Sequence, residues 1–318
     1  MPVASSSLES AFDRRKHPDA LVFSTWIAAD GWRLRAYRWP AIHAQRPRGS
    51  LLFQSGRVDF IEKYLEACDH WYRAGWSVEG FDWRGQGGSG RLDPGSSADD
   101  RQSFDPLIDD LSAYVEDWRT RTPGPHVLVA HSMGGYVALR MLVERDIRLD
   151  AVVLVAPMLG LNTGLLPVPL ARLAVWAALL AGRGRHAAWR DALDDPRRQA
   201  RLTADRARYE DSQWWKRKMP DLAGGAPSWR WLAAAFAGID RLAGAALEGL
   251  QTPMLLLAAG RDKLVDNRAI ARVAARLPDA ELHIFRNAAH ELLREADGDR
   301  LAALAAIDDF LIERAPPR

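Results

Sequence analysis

The stretch "HVLVAHSMGGYVALRMLVER", residues 126–145, joins an apolar run to a helical pattern through a single serine. Residues 127–131 have the length and apolarity of a buried strand, and helical periodicity begins at Met133. Ser132 lies between them, with Ala130 and Gly134 two residues away on either side. A serine on so sharp a strand-to-helix turn needs small neighbours, because the strand and the helix crowd it. The stretch therefore predicts a nucleophile elbow in an α/β protein.

Composition limits the classes to which the chain can belong. Its 318 residues suffice for one large α/β domain or two ordinary ones, and its formal net charge is +2 with basic and acidic residues interleaved, which does not indicate a nucleic-acid partner. The single cysteine, Cys68, excludes an internal disulfide. It shares one face of a predicted helix with Ile61, Leu65 and Tyr72, which indicates a buried structural thiol. Neither a signal peptide nor a membrane-spanning run is evident, so we expect a cytoplasmic protein.

Apolar runs alternate with helical segments along most of the chain. The predicted strands are 23–27, 32–38, 51–53, 78–83, 127–131, 151–157, 254–260 and 282–285, and the first two flank the turn dipeptide Asp30-Gly31. Such alternation predicts an α/β fold with a doubly wound, mostly parallel sheet. Between 158 and 247 we predict only helices. We therefore predict an α/β core at 1–157 and 248–318 with a helical cap, 158–247, inserted in it.

A serine hydroxyl needs a histidine that accepts its proton and a carboxylate that orients the histidine. Asp262 follows the predicted strand 254–260, and His290 lies in the loop after the strand 282–285. Both positions lie beyond the carboxyl ends of strands, where α/β proteins collect their functional groups. The order serine, acid, histidine is the one that accompanies a nucleophile elbow. The predicted catalytic group is therefore Ser132, Asp262 and His290.

Other interpretations of these residues stay open at this point. Asp262 is also placed to be a turn or helix-cap residue, in which case Asp266 is the substitute acid. His290 is also placed to be an ordinary histidine at a helix N-terminus. His131 and His283 lie within or at the end of predicted strands, and we expect them to pack or to form hydrogen bonds.

The segments "GRVDFIEKYLEACDHWYRAGWSVEGFDWRGQGGSGR", "AHSMGG", "GRDKLVDN" and "NAAHELLRE" resemble, in this order, bacterial lysophospholipase L2 and the related monoacylglycerol lipases of the α/β-hydrolase superfamily. The resemblance covers about residues 51–311, with only a loose match in the insert. It implies Ser132 as nucleophile, His290 as general base and Asp262 as its orienter. It also implies an oxyanion hole made by the backbone N–H groups of Met133 and Arg57, and no metal or organic cofactor.

The chain departs from many relatives where the first core strand ends. Those relatives have His-Gly there, whereas this chain has Ser55-Gly56. The chemistry requires a turn that aims an amide into the cleft, and Gly56 permits such a turn. The glycine-rich stretch 82–90 lacks the order of a phosphate-binding loop, so we expect a structural turn in which Arg84 is an ion-pair donor.

The predicted cap is apolar and rich in tryptophan. Residues 165–181 are nearly all apolar, and the cap region contains Trp176, Trp189, Trp214, Trp215, Trp229 and Trp231. We single out Trp176, Trp214 and Trp215 as candidate contacts for a single long acyl chain, and the alternative is that they pack the cap helices.

The basic stretch "WWKRKMP" carries Lys216, Arg217 and Lys218. We expect it to be a solvated face rather than a contact for lipid head groups. Contact of the apolar cap with a membrane surface is a further expectation.

These observations predict a serine carboxylester hydrolase acting on monoacyl lipids, either lysophospholipids or monoacylglycerols. One alternative keeps the triad but changes the substrate to a lactone, a small ester or a peptide with a free N-terminus. The last of these needs a carboxylate near the pocket, and the cap offers Asp191, Asp194, Asp195, Glu210 and Asp211. The other alternative is a non-catalytic binding protein, against which retention of all three triad positions argues. The oligomeric state stays open.

Overall fold

The computed structural model describes residues 12–41, 47–93, 98–189 and 196–317. Its centre is an eight-stranded sheet with the order β1-β2-β4-β3-β6-β7-β9-β10. The strands β1 and β2 pair in antiparallel fashion, as do β2 and β4, and all remaining neighbours are parallel. The bounds are β1 Val22–Ile27, β2 Arg33–Trp39, β3 Gly49–Gln54, β4 Trp76–Phe81, β6 His126–His131, β7 Ala151–Val155, β9 Met254–Ala259 and β10 Ala280–Phe285.

The helices cover both faces of this sheet and the region of the predicted cap. They are α1 Leu65–Arg73, α2 Asp105–Arg121, α3 Met133–Glu144, α4 Val168–Leu180, α5 Pro196–Leu202, α6 Arg206–Lys218, α7 Trp229–Ala243, α8 Asn267–Ala274 and α9 Asp297–Arg314. Short 3₁₀ turns occur at Ile61–Lys63, Pro220–Leu222, Leu247–Gly249 and Leu292–Arg294.

The central strands are apolar throughout because each of their faces is covered. Leu128 and Leu256 point into a core shared with α2, α3 and α8, while Val127 and Leu255 point into a second core shared with α1 and α9. Adjacent residues of one strand therefore enter different cores, as the alternation of side chains along a strand requires. Cys68 is buried in the second core, and burial raises the pKa of its thiol, which fits the expected structural role.

The predicted fold class is confirmed, and each predicted core strand overlaps a strand of the sheet. The expectation that the cap contains only helices is wrong. A two-residue strand, β8 at Ala226–Pro227, pairs in parallel with β5 at Ala98–Asp99. Because a ladder of two residue pairs has no side-chain periodicity, the sequence pattern could not predict it. We retain 158–247 as the proposed bounds of the cap, which contains α4 to α7.

Candidate active site

Ser132 lies at the sharp turn between β6 and α3. Its backbone has φ of 52° and ψ of −117°. Residues other than glycine rarely adopt a positive φ, so the neighbouring structure must hold Ser132 in this conformation. Gly134 makes the turn possible, because a Cβ there would lie only 2.5 Å from the carbonyl oxygen of Ser55. The small residues of the sequence motif therefore allow the elbow and the end of β3 to pack against each other.

The three residues predicted from the sequence form one chain of hydrogen bonds. His290 Nε2 lies 2.8 Å from Ser132 Oγ, and His290 Nδ1 lies 2.6 Å from Asp262 Oδ2. The other carboxylate oxygen of Asp262 accepts the backbone N–H groups of Leu264 at 2.7 Å and Val265 at 3.0 Å. An ionised Asp262 accepts a hydrogen bond from the Nδ1–H of His290, which leaves Nε2 of the neutral ring as acceptor for the serine hydroxyl.

The substitute acid considered above has a different position. Asp266 is the N-cap of α8, where its Oδ1 accepts the backbone N–H of Arg268 at 2.9 Å. Asp262 is therefore the carboxylate that orients His290 in this arrangement.

The electrostatics of the pair favour its charged form. Burial raises the pKa of Asp262, but the charge and the hydrogen bond of His290 and two backbone amides outweigh burial, and the net pKa is below the usual value. Burial lowers the pKa of His290, but the charge and the hydrogen bond of Asp262 outweigh it, and the net pKa is above 6.5. The arrangement therefore stabilises a positive charge on His290, as proton removal from Ser132 requires.

The two predicted oxyanion amides belong to the two segments that flank Ser132. Met133 is the first residue of α3, where helix amides lack an intrahelical acceptor. Arg57 follows Gly56, at which an added Cβ would lie 3.1 Å from the Cβ of Ser132. The Arg57 side chain donates to the carbonyl of Gly225 at 2.8 Å. Its placement beside the elbow is compatible with the predicted role, which remains a proposal.

A buried polar network that sequence reasoning missed supports both parts of the site. Asp59 Oδ2 accepts the backbone N–H of Gly56 at 3.1 Å and the hydroxyl of Tyr64 at 2.8 Å. The same hydroxyl lies 3.0 Å from His131 Nδ1, and His131 Nε2 lies 3.2 Å from the carbonyl oxygen of His290. The hydrogen-bonding role expected for His131 therefore connects the Gly56 turn to His290. The position of His131 directly before Ser132 is the one sequence feature that could have indicated this network.

The three tryptophans singled out from the sequence lie in different surroundings. Trp215 is 1% exposed, donates from Nε1 to the carbonyl of Arg14 at 2.9 Å and stacks on His17, so it has a packing role instead of the expected substrate contact. Trp214 is half-buried against it, with a ring centroid distance of 4.9 Å. Trp176 is 58% exposed on α4. Only Trp176 presents most of its surface to a ligand or an interface.

The remaining sequence expectations concern charged groups. Arg84 forms ion pairs with Asp30 and Asp110 at 2.6 Å, as expected of a structural donor. Of the cap carboxylates, Glu210 pairs with Arg206 at 2.7 Å and Asp211 with two N-terminal arginines at 2.6 Å. Asp191, Asp194 and Asp195 lie outside the described residues. Among the helices that the structure describes, none has the length and apolarity needed to cross a bilayer.

Comparison with known proteins extends this description. The model of the family described as Serine aminopeptidase, S33 (Hydrolase_4) matches residues 45–297. The chain is 31% identical to lysophospholipase L2 of Escherichia coli K12 over 313 residues, which are 92% of this chain and 88% of that protein. It is 29% identical to the probable lysophospholipase L2 of Haemophilus influenzae, over 87% of this chain and 88% of that protein.

Among solved structures, a soluble variant of monoglyceride lipase from Saccharomyces cerevisiae in complex with a substrate analog matches with a TM-score of 0.74 at 17% identity, over 96% of this chain and 99% of that chain. This likeness concerns the fold. The resemblance inferred from the sequence motifs is confirmed, and the chain belongs to the Hydrolase_4 family of α/β-hydrolases.

Proposed function

We propose that the protein is a serine carboxylester hydrolase that cleaves monoacyl lipids, lysophospholipids or monoacylglycerols. The observation that carries the proposal is the chain of hydrogen bonds from Ser132 through His290 to Asp262, at 2.8 and 2.6 Å. Similarity to lysophospholipases L2 over about nine-tenths of the chain supports the substrate class. A serine at the elbow, rather than an aspartate, also favours ester hydrolysis over the epoxide and haloalkane chemistry of the same fold.

The proposed reaction has two halves. His290 Nε2 removes the proton of Ser132 Oγ as that oxygen bonds to the ester carbonyl carbon, and the backbone N–H groups of Met133 and Arg57 stabilise the resulting oxyanion. Collapse of this tetrahedral intermediate breaks the bond between the carbonyl carbon and the leaving alcohol, which takes its proton from His290. Water then repeats the sequence on the acyl-enzyme, releasing the fatty acid and restoring Ser132. The hydrogen bond that His290 Nδ1–H donates to Asp262 keeps the histidine ring in the required tautomer throughout.

The cap supports a lipid substrate through an exposed apolar surface. Only Val175 is buried on α4, whereas the helix and the two residues before its N-cap Pro167 expose large apolar side chains: Leu165, Leu166, Val168, Leu170, Leu173, Trp176 and Leu180. Residues 163–185 contain three arginines and no acidic residue. Apolar patches of this kind mark interaction surfaces. Of the three arginines, Arg172 pairs with Asp240 and Arg185 with Asp93 and Asp100, so the apolar side chains carry the argument for membrane contact. We propose that α4 contacts the membrane in which the substrates reside.

Leu173→Asp tests this contact, with Leu301→Asp on α9 as control, because the two leucines are 55% and 51% exposed. The cap variant should bind anionic vesicles about tenfold more weakly, since one leucine is lost from the interface and a negative charge is added. Both variants should hydrolyse a soluble short ester like the wild type. Equal vesicle binding by the two variants would contradict the contact.

A second candidate keeps the serine mechanism but changes the substrate to a peptide with a free N-terminus, as the description of the matching family suggests. Recognition of an amine needs a carboxylate, and the two cap carboxylates considered above that the structure describes, Glu210 and Asp211, are already in ion pairs. Similarity to lysophospholipases L2 over about nine-tenths of the chain makes the monoacyl lipid the better supported substrate.

The first experiment is hydrolysis of nitrophenyl esters of increasing chain length, a monoacylglycerol, lysophosphatidylcholine and an aminoacyl nitroanilide, with Ser132→Ala as blank. Preference of the wild type for long single chains, absent in the variant, supports the proposal. Turnover of only the nitroanilide or short esters contradicts the lipid assignment. If wild type and variant are equally inactive and an organophosphonate labels neither, the protein is a binding member of the fold.

A further inference from the structure

Gln86 is a buried side chain of the glycine-rich stretch 82–90, for which the sequence predicted only a structural turn. The residue is 3% exposed. Its Nε2 donates to the carbonyl oxygen of Gly56 at 2.7 Å, and its Oε1 accepts the backbone N–H of Val58 at 3.1 Å. Only this orientation of the amide satisfies both partners, because a flipped amide would set oxygen against oxygen and N–H against N–H. One carboxamide therefore binds the backbone on each side of Arg57.

The bond to Gly56 fixes the direction of the Arg57 N–H. The carbonyl of Gly56 and the N–H of Arg57 belong to one peptide group, which is planar and trans, so the two bonds point in opposite directions. A donor that holds the carbonyl on one side of the chain therefore keeps the N–H on the other side. Glycine opposes rotation of such a peptide group less than other residues do, because it has no Cβ. A contact from outside the turn is therefore needed to keep a single orientation.

This peptide group lies beside the elbow. A Cβ at Gly56 would lie 3.1 Å from the Cβ of Ser132. The strand β3 pairs in parallel with both β4 and β6, so the segments that follow these three strands meet at one edge of the sheet. These segments are 55–59, 82–90 and the elbow at Ser132. Under the proposed mechanism the ester carbonyl is attacked at this edge, so a group that orients the Arg57 N–H controls the geometry around the oxyanion.

Val58 shows that the turn is held against a conformational preference. Its φ is 60°, in the left-handed region that a β-branched residue rarely adopts. Such conformations persist where surrounding contacts over-determine them, and they are concentrated at functional sites. The N–H of Val58 is bound by Gln86, and its side chain packs closely on the cap, since a Cβ at Gly224 would lie 2.6 Å from Val58 Cγ1. Without Gln86 this residue loses the hydrogen bond that opposes its relaxation, and Arg57 would move with it.

We propose that Gln86 is a positioning residue for the oxyanion hole, which holds the Gly56–Arg57 peptide group so that the Arg57 N–H is aimed at the developing oxyanion. The inference rests on the proposed function and on the role proposed there for Arg57. Gln86 acts through the backbone and does not contact the reacting atoms. An oxyanion donor is most effective when it is already oriented before charge develops. Loss of Gln86 should therefore slow the chemical step and leave binding of the ground-state substrate nearly unchanged.

Steady-state hydrolysis of a soluble nitrophenyl ester tests the proposal, with kcat expressed per mole of folded protein and urea unfolding measured in parallel. Gln86→Met removes both hydrogen bonds and keeps the length of the side chain. It should lower kcat by about 10- to 100-fold and change KM by less than about threefold. A trifluoromethyl ketone forms an adduct with Ser132 that carries the oxyanion, so its inhibition constant should rise by a similar factor.

Ser89→Ala is the matched control. Ser89 lies in the same stretch, is 1% exposed, and its Oγ donates to the carbonyl oxygen of Asp82 at 2.6 Å and accepts the N–H of Arg35 at 2.8 Å. Like Gln86, it bridges a backbone carbonyl and a backbone N–H, but neither group belongs to the turn 55–59. The control should therefore lose stability and keep kcat within about threefold of the wild type.

Gln86→Glu separates the two hydrogen bonds. An ionised carboxylate of the same shape accepts the N–H of Val58 but cannot donate to the carbonyl of Gly56. Burial raises the pKa of such a carboxyl group, and its protonated form can donate again. The kcat of this variant relative to the wild type should therefore be low at about pH 8 and rise as the pH falls to about 5. A role in stability alone predicts no such rise per mole of folded protein.

The proposal fails if Gln86→Met keeps kcat within about threefold of the wild type, or if its kcat falls no further than that of Ser89→Ala at equal stability. Unchanged inhibition by the ketone, or a loss that lies in KM, also contradicts it. If Gln86→Met does not fold, Gln86→Glu decides, and a relative kcat that is independent of pH overturns the role of Gln86. A wild type without Ser132-dependent turnover of the ester overturns the proposed function and this inference with it, whereas an active wild type with indifferent Gln86 variants overturns the inference alone.

Discussion

Gly134 is the residue at which one added methyl group should damage the site most. A Cβ at this position would lie 2.5 Å from the carbonyl oxygen of Ser55 and 3.0 Å from that of Gln54. Both obstacles are backbone atoms, so no side-chain rotation relieves the clash. The Ser55 oxygen is also held by the indole N–H of Trp83 at 2.7 Å. The end of β3 must therefore move away from the elbow by about 0.5 to 0.9 Å before ordinary contact distances return.

Two effects of different size follow for Gly134→Ala. Overpacking of this kind costs about 1–3 kcal/mol in the free energy of unfolding. The displaced segment leads directly into Gly56 and Arg57, so the proposed oxyanion amide shifts by a similar distance relative to Ser132. Misplacement by about 1 Å, or loss of one oxyanion donor, lowers turnover by about 10². We therefore expect kcat to fall by about 10² while KM changes much less.

Gly135→Ala is the matched control. Its Cβ would lie 2.9 Å from the Pro157 side chain and 3.3 Å from the carbonyl oxygen of Ala130, a milder clash that does not press on β3. The assay is steady-state hydrolysis of a soluble nitrophenyl ester per mole of folded protein, with urea unfolding measured in parallel. The reasoning is refuted if Gly134→Ala loses stability but retains kcat within about threefold, or if Gly135→Ala loses as much kcat at equal stability.

Four further predictions concern Asp262 and the network around Tyr64. Asp262→Asn should lower kcat by about 10⁴, because His290 would be held in the wrong tautomer, and a variant within tenfold of the wild type would contradict the assignment. Since the pKa of His290 is raised, the acid limb of kcat/KM should have its midpoint above pH 6.5 in the wild type, and that limb should move to lower pH in Asp262→Asn, as a pH–rate profile can show. The ion pair of Asp262 and His290 stabilises the folded state fully above pH 3.8, and this stability is lost as the pH falls through the lowered pKa of Asp262. It is also lost as the pH rises from 6.5 through the raised pKa of His290. The wild-type free energy of unfolding in urea should therefore exceed that of Asp262→Asn most between about pH 4 and 6.5. Tyr64→Phe should cost about 1–3 kcal/mol in urea unfolding, because Asp59 and His131 each lose a buried partner, and an unchanged midpoint would argue against this network.

Much of the fold was predictable because it depends on local patterns. Strands buried on both faces are continuous apolar runs, and the central strands of the sheet were located from such runs. The first two strands, which are partly exposed, were located from the turn dipeptide Asp30-Gly31 between them. The short ladder between Ala98–Asp99 and Ala226–Pro227 was not predictable, because two backbone pairs separated by more than a hundred residues have no side-chain pattern. The packing of Trp215 against His17 and Arg14 was equally hidden, since a tryptophan in a predicted cap has the same local sequence whether it contacts substrate or core.

By itself the sequence determined the α/β class, the elbow at Ser132 and the chain order of its partners, because steric limits on a tight turn and the position of strand ends are properties of short segments. Only the tertiary structure decided that Asp262, rather than Asp266, meets His290, and that Lys216 is buried while Lys218 remains exposed. These outcomes depend on which distant segments pack together and on how much water they exclude. The burial of a side chain and the charges around it depend on the whole fold, so a local sequence pattern cannot predict them.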